Sequence, residues 1–139
     1  MNDCLFCNIA NSKIPAQIVY EDEYALGVLD IHPRAAGHTM VIPKRHAETI
    51  LDVPDEDLGA LFQAVKRVAA LLKKTLEPEG FTIGINHGKV SGQAVDHLHV
   101  HIIPRWRNDG GTSLHGIVNP PEGGFSESLD DMRKKIVQQ

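Results

Sequence analysis

The segment "HLHVHIIP" (97–104) alternates histidine with aliphatic residues, and this alternation restricts its conformation strongly. Successive side chains of a β-strand point to opposite faces, so a strand over 97–103 would carry three histidines on one face: His97, His99 and His101. Three aliphatic residues would then face the core: Leu98, Val100 and Ile102. Neighbouring histidines would lie about 6.5–7 Å apart, close enough to serve one site. The segment therefore predicts a strand with one face in the hydrophobic core and the other face in a functional site.

Strand and turn patterns elsewhere predict a sheet around that segment. The runs 17–22 and 24–31 are rich in aliphatic and aromatic residues and are separated by acidic residues, which favours a β-hairpin. The run 38–43 favours a third strand that ends at Pro43, because proline terminates strand pairing. The segment 81–88 favours a fourth strand, which makes the histidine segment the fifth.

The region between the third and fourth strands has a helical pattern. Apolar residues recur at three- and four-residue steps over 58–76, which predicts a long amphipathic helix. Acidic residues at 55–57 suit its positive N-terminal end, and lysines at 73–74 suit its negative C-terminal end. The Glu-Pro-Glu-Gly segment at 77–80 stops it. The order of elements predicts an α+β fold with helices segregated from an antiparallel sheet.

The C-terminal part of the chain is expected to be less regular. Glycine and proline are frequent in 105–124, which predicts a loop, and 126–139 favours a short helix capped by Ser126 or Ser128. With 139 residues and no linker, the chain is expected to form one domain. We interpret 107–139 as a loop and short helix that complete the domain formed by 1–106.

Composition excludes several classes of function. The formal net charge is −4, which gives no basis for a surface that binds nucleic acid or anionic membranes. The apolar runs are too short to span a bilayer, and the first residues lack the features of a signal peptide. We therefore expect a cytoplasmic protein with no nucleic-acid or membrane partner.

The two cysteines, Cys4 and Cys7, form a Cys-x-x-Cys pair near the N-terminus. Two cysteines at this spacing favour a metal site, and an unbridged structural pair is the next alternative. A redox motif would follow a strand within a βαβ unit, and no strand precedes this pair. The metal interpretation is the one that we carry forward.

Three histidines on one face allow two kinds of chemistry. They could jointly hold a catalytic zinc with water as the fourth ligand. Alternatively, one neutral imidazole could attack a phosphorus centre while its neighbours orient it and stabilise charge. The loop "GKVSGQ" (88–93) precedes the strand and offers backbone N–H groups suited to phosphate oxygens, which favours phosphate chemistry.

The chain resembles the histidine-triad (HIT) family of nucleotide hydrolases and transferases. "QAVDHLHVHIIPRW" (93–106) matches the triad pattern, and 4–46 resembles the N-terminal half of the family, including "GHTMVIPK". The resemblance implies a five-stranded antiparallel sheet with one long and one or two short helices. It also implies a homodimer in which the sheets of two chains combine.

The resemblance implies a reaction at the α-phosphorus of a purine nucleotide. His99 would attack and form a nucleotidyl-histidine that water cleaves, and His101 would contact the phosphate or the leaving group. Asp30 would bind the ribose hydroxyls, and Asn86, Gly92 and Gln93 would contact phosphate. Five apolar residues would line a slot for the base: Leu5, Phe6, Ile9, Ile14 and Ile31. No cofactor would be required for the chemistry.

The resemblance also implies which residues bind the metal. Some bacterial members bind zinc through Cys-x-x-Cys and two histidines, which by position are Cys4, Cys7, His46 and His97. Four protein ligands leave no open position, so this zinc would be structural. His38 could form a hydrogen bond near the site, although a surface or packing role is favoured, and His32 and His115 are expected to be solvated.

Two other functions remain open from the sequence. The chain could be a nucleotide-binding or partner-binding module with little turnover, which would hold AMP but release little product. It could also be a metal-dependent hydrolase, which would lose activity in chelator without unfolding. Substrates from phosphoramidates to dinucleoside polyphosphates remain possible.

Overall fold

Five strands pair into one antiparallel sheet. The structure is a computed structural model that describes residues 3–138. The strands follow the order β1-β2-β3-β5-β4 across the sheet. Their bounds are β1 Ile18–Glu21, β2 Ala25–Leu29, β3 Thr39–Pro43, β4 Gly80–Gly84 and β5 Val100–Arg105. The α+β fold expected from the order of elements is confirmed.

Three α-helices accompany the sheet: α1 Leu5–Ala10, α2 Asp55–Leu76 and α3 Leu129–Val137. Helix α2 begins with the acidic first turn that the sequence predicts and ends at Glu77, which adopts a left-handed conformation with φ 52°. The Glu77 N–H donates to the Lys73 carbonyl at 3.2 Å, closing the last turn. Helix α1, which carries Cys7 and is capped by Cys4, was not expected from the sequence.

The two faces of the sheet are covered by different helices. Residues from β3 and β5, such as Val41, Val100 and Ile102, share a core cluster with the buried face of α2. Met40 and Ile42 point the other way and cluster with Phe6 and Ile9 of α1. The histidines therefore lie on the α1 side, because they alternate with the residues that face α2.

The strand predicted over 97–103 is shifted in the structure, where β5 begins at Val100. The preceding residues do not join the ladder, because the Leu98 N–H donates to the Ala47 carbonyl at 2.7 Å, in the loop after β3. The side chains of His97 and His99 nevertheless remain on the face opposite the α2 core. The fourth strand is likewise shorter than predicted and ends at Gly84.

The chain divides into two compact units after Asp109. The second unit contains α3, whose N-terminal cap is Ser128: its hydroxyl accepts from the Asp131 N–H at 3.1 Å. The C-terminal helix predicted from the sequence is thus confirmed. That 1–106 and 107–139 form a single domain stays a prediction.

The two edges of the described sheet are β1 and β4. A homodimer that joins two sheets would need pairing across such an edge, and it stays a prediction. Within residues 3–138, no helix is both long and apolar enough to cross a bilayer.

Substitutions at two glycines should have opposite effects on stability. Gly37 has φ +82°, a left-handed conformation that strains any residue with a Cβ, and a Cβ there would also crowd the end of the exposed Leu76 side chain, which can move. We expect Gly37→Ala to lower the free energy of unfolding by about 1–2 kcal/mol, chiefly through backbone strain. Gly59 lies within α2 with nothing near its Cβ position, so Gly59→Ala should raise it by about 0.5–1 kcal/mol. Urea denaturation would measure both, and a neutral Gly37→Ala would contradict this account.

Candidate active site and metal centre

Four side chains from distant parts of the chain meet beside α1: Cys4, Cys7, His46 and His97. Cys4 Sγ and Cys7 Sγ lie 3.3 and 3.5 Å from His97 Nδ1, and Cys7 Sγ lies 3.3 Å from His46 Nδ1. All four potential ligand atoms lie within 4.8 Å of one another. The structure therefore brings together the four residues that the sequence predicted as ligands.

The donor set and its spacing fit a tetrahedral ion. With Zn–S about 2.3 Å and Zn–N about 2.0–2.1 Å, tetrahedral ligands place sulfur and nitrogen about 3.5 Å apart. The observed separations of 3.3–3.5 Å match that value. His97 Nε2–H donates to the Pro43 carbonyl at 2.7 Å, which leaves Nδ1 unprotonated toward the sulfurs. A metal here would have a closed shell and would stabilise the fold.

Burial determines the protonation of this centre when no metal is bound. It raises the pKa of the Cys7 thiol, and the neighbouring Cys4 acts in the same direction. It also lowers the pKa of His97, against the hydrogen bond to Pro43. Loading a divalent metal would thus displace a thiol proton but would find the His97 imidazole neutral.

His99 is held in one orientation by the residue two positions before it. Its Nδ1–H donates to the His97 carbonyl at 2.8 Å, and the side chain is 6% exposed. Because a neutral imidazole carries one proton, this bond leaves the lone pair on Nε2. In the neutral form of the ring, Nε2 is therefore the nitrogen that can form a bond to an electrophile.

His101 is connected to a second buried histidine, His38. The Arg34 N–H donates to His38 Nδ1 at 3.1 Å, so the His38 proton lies on Nε2. His38 Nε2 is 2.9 Å from His101 Nδ1 and donates to it. His101 therefore carries its own proton on Nε2. One backbone amide thereby fixes the proton positions of two imidazoles in series.

His38 has the hydrogen-bonding role near the site that was the less favoured of its two expected roles. It is 4% exposed, as a packing residue would be, but its ring also bonds to His101. Only the antiparallel pairing of β3 with β5, in which Met40 lies opposite His101, brings the two rings together. The sequence signal was the histidine that opens the "HTMVIP" strand, and its partner could not be read from spacing.

Asp30 lies beside this pair of histidines. Its Oδ2 is 3.4 Å from His38 Nε2 and 3.8 Å from His101 Nδ1, and its Oδ1 accepts from the His32 N–H. Burial, with His99 and His38, lowers the pKa of His101 to about 4 despite the Asp30 carboxylate. His101 is thus neutral at pH 7 and remains a donor through Nε2.

The potential ligand atoms of Asp30, His38 and His101 are also close enough for a metal ion. The bond from the Arg34 amide opposes this, because it keeps the proton on the His38 nitrogen that would bind the metal. Metal-bound histidines usually donate through their second nitrogen, whereas His38 Nδ1 accepts. The geometry favours a hydrogen-bonded relay.

The glycine loop before the histidines is braced by one side chain. Gln93 Nε2 donates to the Glu48 and Val95 carbonyls, and its Oε1 accepts from the Gly88 N–H at 2.8 Å. Gln93 is therefore engaged in holding the loop instead of presenting free donors. Gly92 has φ +97°, and a Cβ there would lie 3.8 Å from the Asn86 side chain, so these two expected phosphate contacts are neighbours.

The five residues expected to line a slot for the base differ in exposure. Phe6 and Ile9 are buried in the core cluster on the α1 side of the sheet, and Ile14 is partly buried against that cluster. Leu5 and Ile31 are 41% and 82% exposed. That these residues line a base slot stays a prediction.

Removal of one thiol should abolish metal binding. We expect one zinc per chain in the wild type and none in Cys4→Ser, with a lower melting temperature, because metal binding contributes to folding free energy. Elemental analysis and calorimetry would measure both quantities. His115→Ala, at an exposed position of the 3₁₀ turn Leu114–Gly116, is the matched control. An unchanged zinc content in Cys4→Ser would refute the site.

Comparison with known sequences finds the same architecture in proteins from many organisms. A family model described as the HIT domain matches residues 11–108. An uncharacterized HIT-like protein of Methanocaldococcus jannaschii is 44% identical over 133 residues, covering 96% of this chain and 98% of that protein. Two relatives have enzyme names. The adenosine 5'-monophosphoramidase HNT1 of Candida albicans is 33% identical (98% of this chain, 90% of that protein). The adenylylsulfatase HINT3 of Arabidopsis thaliana is 35% identical, and the match covers 78% of this chain and 55% of that protein.

Solved structures agree with these matches. A HIT family protein from Bacillus subtilis superimposes with a TM-score of 0.86 at 36% identity, covering 99% of this chain and 96% of that one. A Zn-bound histidine triad protein from Mycobacterium smegmatis gives a TM-score of 0.73 at 40% identity, with 81% of each chain covered. By its family model, its relatives and its fold, this chain belongs to the HIT family.

Proposed function

We propose that this chain hydrolyses or transfers purine nucleotides at the α-phosphorus through a covalent intermediate on His99. The observation that carries the proposal is the 2.8 Å bond from His99 Nδ1 to the His97 carbonyl, which leaves Nε2 with its lone pair. The relatives named as a phosphoramidase and an adenylylsulfatase act on adenosine compounds of this class, and they support the proposal.

The first step forms a bond between His99 Nε2 and the α-phosphorus while the bond to the leaving group breaks. Covalent catalysis of this kind divides one difficult displacement into two easier ones. In the second step water adds to phosphorus, the P–N bond to His99 breaks, and AMP is released. His99 keeps its Nδ1–H throughout, because the His97 carbonyl accepts it.

His101 is the proposed proton donor to the leaving group. The chain of bonds from the Arg34 amide through His38 keeps a proton on His101 Nε2. The minor imidazolium form of His101 gives its Nε2 proton to a departing amine in the first step and becomes neutral, and the attacking water returns a proton to it in the second. His38 is a positioning residue, since it acts on the substrate only through His101.

The remaining contacts follow from the chemistry of the nucleotide. Asp30 retains acceptor capacity on its carboxylate, which suits two ribose hydroxyls. Asn86 and the amides of the loop at Gly92 are proposed to contact phosphate oxygens. The metal proposed for the four-ligand centre is zinc, and its role there is structural.

A metal-dependent hydrolase is less well supported. Such an enzyme keeps an open coordination position for water, whereas the centre at Cys4, Cys7, His46 and His97 supplies four protein ligands. A binding module with little turnover would make the same contacts as the enzyme. Only a measurement of turnover, as in the next experiment, distinguishes the two functions.

Intact-protein mass spectrometry tests the covalent step directly. After mixing with adenosine 5′-phosphoramidate and a quench without acid, we expect a mass increase of one AMP that is absent in His99→Ala. The His115→Ala control should form the adduct normally. An active His99→Ala protein would refute the mechanism, and tight AMP binding with neither adduct nor product would indicate the binding module.

Leaving groups of different basicity test His101. A departing amine needs a proton and a departing sulfate does not, so His101→Asn should slow phosphoramidate hydrolysis much more than adenylyl sulfate hydrolysis. General acid catalysis contributes about 10²–10⁴-fold, which is the difference expected between the two substrates. Single-turnover rates with both substrates would measure it. Equal losses would contradict the assignment.

A further inference from the structure

Phe6 lies between the two cysteines of the metal centre and contacts the proposed nucleophile. Its ring centroid is 5.1 Å from that of His99 with an interplanar angle of 81°, and 5.8 Å from that of His97 at 79°. The side chain is 4% exposed. One phenyl ring therefore packs edge-on against a metal-ligand histidine and against the histidine that would attack phosphorus.

The backbone provides a second connection between the same two residues. The His97 ring belongs to the metal centre, whereas its carbonyl accepts the Nδ1–H of His99 at 2.8 Å. Displacement of His97 would therefore also release the proton that keeps Nε2 available. The metal centre is thus connected to His99 in two ways: through the main chain of His97 and through the Phe6 ring.

Helix α1 depends on its surroundings for stability. It has six residues, and isolated helices shorter than about 12–15 residues are marginal in water. Its cap is Cys4, whose sulfur accepts from the Cys7 N–H at 3.4 Å. Cys4 and Cys7, the residues on either side of Leu5 and Phe6, thus both belong to the metal centre. The position of Phe6 therefore depends on whether that centre is intact.

We propose that Phe6 is a positioning residue through which the Cys4–Cys7–His46–His97 centre holds the His99 ring in its reactive orientation. The coupling itself is structural, and only its effect on turnover rests on the proposed function. The Phe6 ring packs against the His99 ring, while the His97 carbonyl accepts the Nδ1–H of the same ring. In the sequence, the same residue was expected to line the slot for the base.

The two roles predict different kinetics. If Phe6 positions His99, Phe6→Leu should lower kcat at least tenfold and change KM less than twofold. If it lines the base slot, the same variant should raise KM and leave kcat unchanged. The second pattern would overturn the proposal.

Nuclear magnetic resonance of the imidazole nitrogens gives a readout that is independent of activity. In the metal-loaded wild type we expect a slowly exchanging Nδ1–H resonance from His99. Phe6→Leu should retain one metal per chain but lose this resonance to solvent exchange. Phe6→Met, which has nearly the volume of leucine but an unbranched side chain that adapts to the space left by the ring, is the second variant if Phe6→Leu does not fold.

Leu26→Ala is the matched control, because Leu26 is 1% exposed in the same core cluster as Phe6 and belongs to neither the metal centre nor the triad. We expect it to lower stability and to leave the His99 resonance and kcat unchanged. Persistence of the resonance in both Phe6 variants, or its loss in Leu26→Ala as well, would overturn the proposal. Failure of the proposed function would instead appear as no AMP adduct in the wild type, with the resonance still responding to Phe6.

Discussion

The burial of three alternating aliphatic side chains is the constraint on which the site depends. Leu98, Val100 and Ile102 are at most 1% exposed and pack in the core that α2 covers. Their burial forces the intervening histidines to the opposite side of the sheet. A shift of one residue would exchange the two sets, so the hydrophobic core and the chemistry are specified by the same register.

His97, His99 and His101 alternate regularly in the sequence, but the groups around each ring give each one different chemistry. His97 Nε2–H is held by a carbonyl, so its Nδ1 faces two sulfurs, whereas His99 donates through Nδ1 and leaves Nε2 free. His101 accepts a hydrogen bond from His38 through Nδ1 and carries its own N–H on Nε2. Backbone groups fix every one of these proton positions. Among residues 3–138, each buried side-chain nitrogen or oxygen has a hydrogen-bond partner.

Prediction from the sequence succeeded where one local pattern sufficed. Helix α2 was predicted from its apolar spacing and terminal charges. The four metal-centre residues also converge as expected, but that expectation came from the family resemblance and not from a local pattern. Prediction failed where the partner was distant or local signals were short. Helix α1 has six residues and depends on tertiary contacts, and the ring of His38 meets His101 across 63 positions of sequence. The side chain of Gln93 braces the loop, because the Glu48 and Val95 carbonyls accept from its amide, and its expected contact with phosphate stays a prediction.

The sequence by itself determined the two-faced histidine segment, the long helix and the set of residue types at the site, because periodicity and side-chain chemistry are local properties. Only the tertiary structure decided which imidazole nitrogen carries each proton. That outcome depends on the Arg34 amide and on the Pro43 and His97 carbonyls. The main-chain groups are the same in every residue, so their positions around a ring follow from the fold and not from the order of side chains.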